Sequence, residues 1–124
     1  MDEQGSSFVP DTRVALVTGG SRGLGRAISR ALAATGAKIA FCYLRDEEAA
    51  QETSSEIRAC GYAEPLALRC DLTSADDRER LVSEVEARLG PVTILVNNAG
   101  TTADGVATRM KQAWDELIDR SEEH

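Results

Sequence analysis

Four short apolar runs alternate along the chain with longer segments whose apolar residues recur at helical spacing. A continuous apolar run of this length is typical of a strand that is covered on both faces. The predicted strands are Val14–Thr18, Lys38–Tyr43, Pro65–Cys70 and Thr93–Asn97.

The segments between these runs predict helices. The first has an apolar stripe, formed by Leu24, Ala27, Ile28, Ala31 and Leu32, and Gly36 ends it. The second covers residues 46–60 and presents Ala49, Thr53 and Ile57 on one face. The third is capped by Thr73 or Ser74, runs to Leu89 and stops at Gly90-Pro91. A fourth is predicted over 109–118.

This alternation predicts an α/β fold, a Rossmann-type doubly wound parallel sheet that ends after the fourth strand and the following helix. We expect the strand order 3-2-1-4. In that order the fourth strand lies at an edge and exposes Ile94, Leu95 and Val96, which favours aggregation or pairing with a partner.

Composition limits the function classes. The chain has 124 residues, one domain's worth, with 42% hydrophobic and 28% charged residues, and a net charge of −7. The acidic balance argues against nucleic-acid binding, and no apolar run is long enough to span a membrane. Without an export signal, we expect a cytoplasmic location. We expect Cys42, Cys60 and Cys70 to be small buried residues in a reducing compartment.

The chemistry must come from groups other than histidine, because His124 is the single histidine. This excludes most metal sites and every His-based triad. The candidate chemistry lies in a glycine-rich loop, Thr18-Gly19-Gly20-Ser21-Arg22-Gly23-Leu24-Gly25, at the first strand–helix junction. There Gly19 permits a sharp turn, Gly23 leaves room for a phosphate, and Gly25 lets the helix pack on the sheet. A plain tight turn is the alternative, but the junction favours a dinucleotide site.

The spacing Gly-x-x-x-Gly-x-Gly, together with Asn97-Asn98-Ala99-Gly100 after the fourth strand, resembles the short-chain dehydrogenase/reductase family. The resemblance covers about residues 12–119 and is greatest to the beta-ketoacyl-acyl-carrier-protein reductases. It implies hydride transfer from NADP(H) to a small or acyl-carrier-linked 3-oxoacyl group or related ketone, in fatty acid or polyketide biosynthesis. The implied domains are a flexible leader (1–12), an NADP-binding half-domain (13–119) and a tail (120–124).

The resemblance also implies the cofactor-binding residues. Asp71 would contact the adenine with Leu72 beside it, although a simple turn or N-cap is the alternative role for Asp71. The segment 98–100 would lie by the nicotinamide, and Asn97 would tie the central strand. The full set is Thr18, Gly19, Ser21, Arg22, Gly23, Leu24, Gly25, Arg45, Asp71, Leu72, Asn98, Ala99 and Gly100.

Charge at the end of the second strand favours NADP over NAD. The resemblance implies that NAD-preferring members carry an acidic residue there, which would repel a 2′-phosphate. Here the matching position is Tyr43 and the next acid is Asp46. Arg22 and Arg45 are available to bind the phosphate. The alternative for Arg45 is a solvated charge paired with an acid of residues 47–48.

The family's catalytic Tyr-x-x-x-Lys pair is missing from these residues. Four positions after Tyr43 and Tyr62 lie Glu47 and Leu66. The family's helical Asn is replaced by Ser121. We therefore expect no catalytic residue, and a reductase shortened by a frameshift, premature stop or alternative ending. The alternatives are a non-catalytic dinucleotide-binding half-domain and a remnant without function.

The resemblance implies one further surface. The helix over 109–118 would belong to the dimer interface, so we expect a homo-oligomer or a partner chain there or along the fourth strand. Trp114 is the expected anchor, and a merely half-buried tryptophan is the alternative.

Overall fold

The computed structural model describes residues 12–21 and 23–98. Strands and helices alternate throughout this part of the chain, as the sequence predicts. The elements are β1 (Val14–Thr18), α1 (Gly23–Ala34), β2 (Lys38–Tyr43), α2 (Glu47–Ala59), β3 (Leu66–Arg69), α3 (Ala75–Leu89) and β4 (Ile94–Asn97). The leader, the helix over 109–118 with Trp114, and the tail lie outside the described residues.

The four described strands form one parallel sheet in the order β3-β2-β1-β4, which confirms the predicted topology. Leu16 is in register with Ala40 on β2 and with Leu95 on β4. Because all strands point the same way, the residues that follow them meet at one edge of the sheet.

Helices cover both faces of this sheet. Val14 and Leu16 of β1 pack towards α3, in a cluster with Leu81 and Val85. The alternate residues of β1 pack on the other side with Phe41 and residues of α1 and α2. The buried β1 strand has all five residues inside, as its unbroken apolar run predicts.

The fourth strand lies at an edge of the described sheet, as predicted, but its apolar side chains are less exposed than predicted. Within residues 12–21 and 23–98, β4 pairs with β1 alone. Its apolar residues are nevertheless half-buried and not exposed. Leu95 packs on one face of the sheet and Ile94 and Val96 on the other, so their side chains point into the helix-covered layers.

The predicted stripe of α1 is also partly wrong. Leu24 is 69% exposed, and Ala27 and Ala31 are exposed as well. The buried residues of this helix are Gly25, Ser29 and Ala33. The buried face carries small side chains because the helix lies close to the loop and the sheet, and Ile28 and Leu32 flank it.

The helix ends explain the boundaries. The carboxylate of Asp46 accepts a hydrogen bond from the Ala49 amide at 2.9 Å and caps α2. The Ser74 hydroxyl accepts from the Asp77 amide at 3.2 Å, so Ser74 caps α3 and Thr73 does not.

The three cysteines do not share one environment. Cys42 and Cys70 are buried, as predicted, but Cys60 is exposed. It occupies the C-cap of α2, where the chain leaves the helix towards solvent. Among the described residues, no helix has the length and apolarity needed to cross a membrane.

Candidate functional site

The candidate site lies where β1 turns into α1, at the carboxyl edge of the sheet. Gly19 has φ 66° and Gly23 has φ 60°, a left-handed backbone that favours glycine at both ends of the turn. Thr18, directly before Gly19, and Ser21, between the two glycines, are both buried. Arg22, Ala99 and Gly100 lie outside the described residues, so their predicted roles stay predictions.

Asn98 ties the end of β4 to this turn. Its side-chain amide donates to the Gly19 carbonyl oxygen at 3.2 Å, and its backbone amide donates to Thr18 Oγ1 at 2.8 Å. The Thr18 hydroxyl in turn donates to Asn97 Oδ1 at 3.1 Å. The two sequence motifs therefore form one hydrogen-bonded unit, and Asn97 contacts the central strand as expected.

Two glycines permit the close approach of backbone and side chains. A Cβ on Gly25 would lie 1.9 Å from the Gly19 carbonyl oxygen and 2.8 Å from Asn98 Nδ2. Gly25 was predicted to let the helix pack on the sheet. The structure shows that it lets α1 pack on the backbone of the loop. A Cβ on Gly20 would lie 2.5 Å from Phe41 Cβ and 2.9 Å from Ser29 Oγ. Sequence reasoning assigned Gly20 no role, although its place in the Gly19-Gly20 pair was a usable signal.

The start of α1 is open and free of acidic side chains. A Cβ on Gly23 would meet no atom of residues 12–21 and 23–98 within 4 Å, apart from its chain neighbours, and Leu24 beside it is largely exposed. The first turn of α1 holds no acid, whereas the first turns of α2 and α3 each hold two. The amide groups and dipole of a helix N-terminus attract anions, so the start of α1 is suited to a phosphate.

Asp71 and Leu72 follow β3 at the same edge. The Asp71 carboxylate accepts hydrogen bonds from the Thr73 hydroxyl at 2.7 Å and the Thr73 amide at 3.0 Å. The Thr73 hydroxyl, the Thr73 amide and the nearby positive charge of Arg45 hold the pKa of Asp71 below its ordinary value. Asp71 thus forms a local turn and is not the N-cap, and its predicted contact with the adenine stays a prediction. The Leu72 carbonyl accepts from Arg78 Nη1 at 2.8 Å.

Arg45 follows β2 and is exposed. Within the described part of the chain it forms no ion pair with Glu47 or Glu48. Asp46, the first acid after Tyr43, is engaged in capping α2. The end of β2 therefore presents a guanidinium, and the first carboxylate that follows it in the sequence accepts a hydrogen bond from the Ala49 amide.

Two buried thiols lie beneath the turn. Cys42 and Cys70 belong to one core cluster with Val14 and Leu16 of β1. The neighbouring Cys70 thiol and the Gly19 amide lower the pKa of Cys42, whereas burial opposes them. The neighbouring Cys42 sulfur and burial raise the pKa of Cys70. Sequence reasoning missed this proximity, because Cys42 lies in β2, Cys70 follows β3, and α2 separates the two strands along the chain.

Residues 13–121 match the protein family described as "short chain dehydrogenase". This match covers most of the chain and includes the glycine turn, the Asp71 loop and the Asn97–Asn98 strand end. The chain belongs to the short-chain dehydrogenase/reductase family.

Relatives within this family are similar over most of the chain. The 3-oxoacyl-(acyl-carrier-protein) reductase FabG of Staphylococcus aureus is 41% identical over 109 residues, which are 87% of this chain and 44% of that protein. Acetoacetyl-CoA reductase of Shinella zoogloeoides is 42% identical over 108 residues, which are 86% of this chain and 42% of that protein. The chain therefore spans less than half the length of these curated relatives.

A solved short-chain dehydrogenase from Burkholderia cenocepacia, in complex with NADP, superposes with a TM-score of 0.76. It is 31% identical, and the match covers 86% of this chain and 51% of that one. The family fold and the open, acid-free start of α1 fit a nicotinamide dinucleotide, since the loop leaves space for phosphate where a side chain at Gly23 would lie.

Proposed function

We propose that this chain binds NADP(H) as the cofactor-binding part of a reductase that converts a 3-oxoacyl group or a related ketone to a hydroxyl. The names of the two curated relatives support the acyl substrate class. A cytoplasmic location, an acyl-carrier-linked substrate and self-association belong to the same proposal. The bound cofactor supplies the hydride, and the described residues hold and orient the dinucleotide.

The observation that carries the choice of NADP is the end of β2. Tyr43 and Leu44 are neutral, Arg45 is exposed, and Asp46 is committed to the Ala49 amide. A carboxylate that binds ribose hydroxyls would repel a 2′-phosphate, whereas a guanidinium can bind it through two hydrogen bonds. Arg22, next to buried Ser21, is the second cation that we assign to this phosphate.

A second candidate function is dinucleotide binding without turnover. Neither tyrosine is followed at the fourth position by lysine. Tyr62 lies between α2 and β3, at the sheet edge opposite the cofactor turn, so its phenol is remote from the site. In this second candidate function the chain binds the dinucleotide but lacks the Tyr-x-x-x-Lys pair that would supply the proton for carbonyl reduction.

Calorimetric titration with NADPH and NADH tests the cofactor assignment. We expect NADPH to bind at least about tenfold more tightly than NADH, because one charge-assisted contact is worth that factor. Arg45→Ala should weaken NADPH binding about fivefold and leave NADH unchanged. Arg88→Ala, which removes an exposed arginine paired with Glu84 at the end of α3, is the matched control. Equal affinities for the two cofactors would refute the assignment.

Turnover separates the two candidate functions. The chain saturated with NADPH is mixed with acetoacetyl-CoA, and cofactor fluorescence is followed. We expect binding without oxidation from this chain alone. Steady oxidation that depends on the ketone would instead show that these residues complete a reductase site.

A further inference from the structure

A buried hydrogen-bond network fixes the cofactor turn from the side of α2. Thr53, which is completely buried, donates from its hydroxyl to the Ser21 carbonyl oxygen at 2.6 Å. The same hydroxyl accepts from Arg26 Nε at 2.8 Å. Thr53 is therefore both donor and acceptor between α1, α2 and the turn.

Arg26 extends this network along α2. Its Nη2 lies 3.4 Å from the Ala49 carbonyl oxygen and 3.4 Å from Glu52 Oε1. Its guanidinium also lies 3.4 Å from the Ser21 carbonyl oxygen. The Arg26 side chain is 29% exposed, so most of its length is packed between the two helices.

The place of Thr53 connects it to both proposed phosphate ligands. Ser21, whose carbonyl accepts the bond from Thr53, directly precedes Arg22 in the sequence. Thr53 itself lies in α2, whose N-cap Asp46 directly follows Arg45. The Thr53 hydroxyl thus connects α2, which begins shortly after Arg45, to the carbonyl of Ser21, which directly precedes Arg22.

We propose that Thr53 is a positioning residue that holds the glycine turn against α2 and thereby sets the preference for a 2′-phosphate dinucleotide. The cofactor part of this inference rests on the proposed function. The loop-holding part does not, because it concerns the turn in the free chain. Thr53 touches no cofactor and acts through Ser21.

Substitutions of Thr53 test the cofactor part. Thr53→Val keeps the shape but removes the hydroxyl, and Thr53→Ser keeps the hydroxyl. We expect Thr53→Val to weaken NADPH binding about fivefold to tenfold and NADH binding less than about twofold, whereas Thr53→Ser stays within about twofold of the unmodified chain. Thr35→Val, at the opposite end of α1, removes a hydroxyl that bonds the Leu32 carbonyl and is the matched control.

Trypsin cleavage tests the loop-holding part without any cofactor. A protease binds an extended segment of several residues, so cleavage after Arg22 requires the described residues 19–21 and 23–26 to leave their turn and helix, and its rate follows this local opening equilibrium. The ratio of cleavage after Arg22 to cleavage after Arg88 removes the effect of global unfolding. We expect this ratio to rise about fivefold in Thr53→Val and to stay unchanged in Thr53→Ser and Thr35→Val.

The binding and cleavage measurements distinguish a failure of the loop-holding role from a failure of the specificity role. An unchanged cleavage ratio in Thr53→Val overturns the loop-holding role. A raised ratio with an unchanged NADPH-to-NADH preference overturns the specificity role. If the unmodified chain binds neither dinucleotide, the proposed function fails, while a raised cleavage ratio still supports the loop-holding role.

Discussion

The side-chain amide of Asn98 and the carbonyl oxygen of Gly19 are joined by a 3.2 Å hydrogen bond that links positions 79 residues apart. Gly19 begins the turn after β1, and Asn98 follows β4. The bond closes the turn onto the neighbouring strand. The two motifs work as one structural unit because β1 and β4 are adjacent in the sheet.

Removal of this amide should weaken cofactor binding more than folding. In Asn98→Ala the backbone amide of residue 98 still donates to Thr18, so the end of β4 stays in place. The Gly19 carbonyl loses its partner, and we expect NADPH binding about fivefold to tenfold weaker with about 1 kcal/mol lost from the free energy of unfolding. Calorimetry and urea unfolding measure both quantities.

Gln51→Ala is the control for Asn98→Ala, because Gln51 is an exposed amide on α2. It should change neither quantity. If the two variants bind NADPH with the same affinity, the bond to Gly19 does not shape the site.

Gly25 and Gly23 should respond differently to alanine. At Gly25 the new Cβ meets the Gly19 carbonyl at 1.9 Å, and the backbone must shift. We expect Gly25→Ala to lose about 3 kcal/mol or more of unfolding free energy. At Gly23 the Cβ would meet no atom of the described residues. Gly23→Ala should therefore lower the free energy of unfolding only through the strain of its positive φ, by about 1–2 kcal/mol. Urea unfolding with circular dichroism measures the difference.

Cofactor binding should separate the same two variants in a second way. Gly23→Ala should remain folded yet bind NADPH at least about tenfold more weakly, since its methyl group occupies the space assigned to phosphate. A folded Gly23→Ala chain with ordinary NADPH affinity would contradict that assignment.

The strands were predictable because each is covered on both faces. Residues such as Leu16 and Val17 lie on opposite faces and are both fully buried, so the run is apolar without alternation. The glycine turn was predictable for a similar reason, since its conformation admits few residues other than glycine. Sequence alone therefore located the elements and the turn that joins them.

Other features depend on packing that a helical repeat does not show. The stripe of α1 was misplaced because Gly25 and Ser29, which are not apolar, form its buried face. The roles of Thr53 and Cys42 were missed because their partners, Ser21 and Cys70, come from other elements. Such contacts follow from the arrangement of the elements and have no local signature.

The pKa of Asp71 should depend on the Thr73 hydroxyl. That hydroxyl is the main cause of the lowered pKa, followed by the Thr73 amide. Thr73→Ala removes the first donor and keeps the second, so the pKa should rise part of the way to its ordinary value. Thr73→Ser should behave as the unmodified chain. Carboxyl NMR titration measures the three values.

The lowered pKa of Asp71 also determines how its contribution to stability changes with pH. A carboxylate whose folded pKa lies below its unfolded pKa stabilises the fold fully above the unfolded pKa, and the contribution disappears as pH falls through the folded pKa. The acid side of the stability profile should therefore be less steep in Thr73→Ala. A profile that is identical in Thr73→Ala and Thr73→Ser would show that the hydroxyl contributes nothing.

The three thiols should differ in reactivity according to their burial. Cys60 is exposed at the C-cap of α2, whereas Cys42 and Cys70 are 1% and 3% exposed and lie in the same core cluster. With an aromatic disulfide reagent we expect one thiol to react at once and two to react on the order of 100-fold more slowly, because buried thiols react only after local opening. Cys60→Ser should abolish the fast phase and leave the slow phase unchanged. In urea, all three thiols should react in one fast phase. Three equally fast thiols in the native chain would show that the β2–β3 end is not closed beneath the cofactor turn.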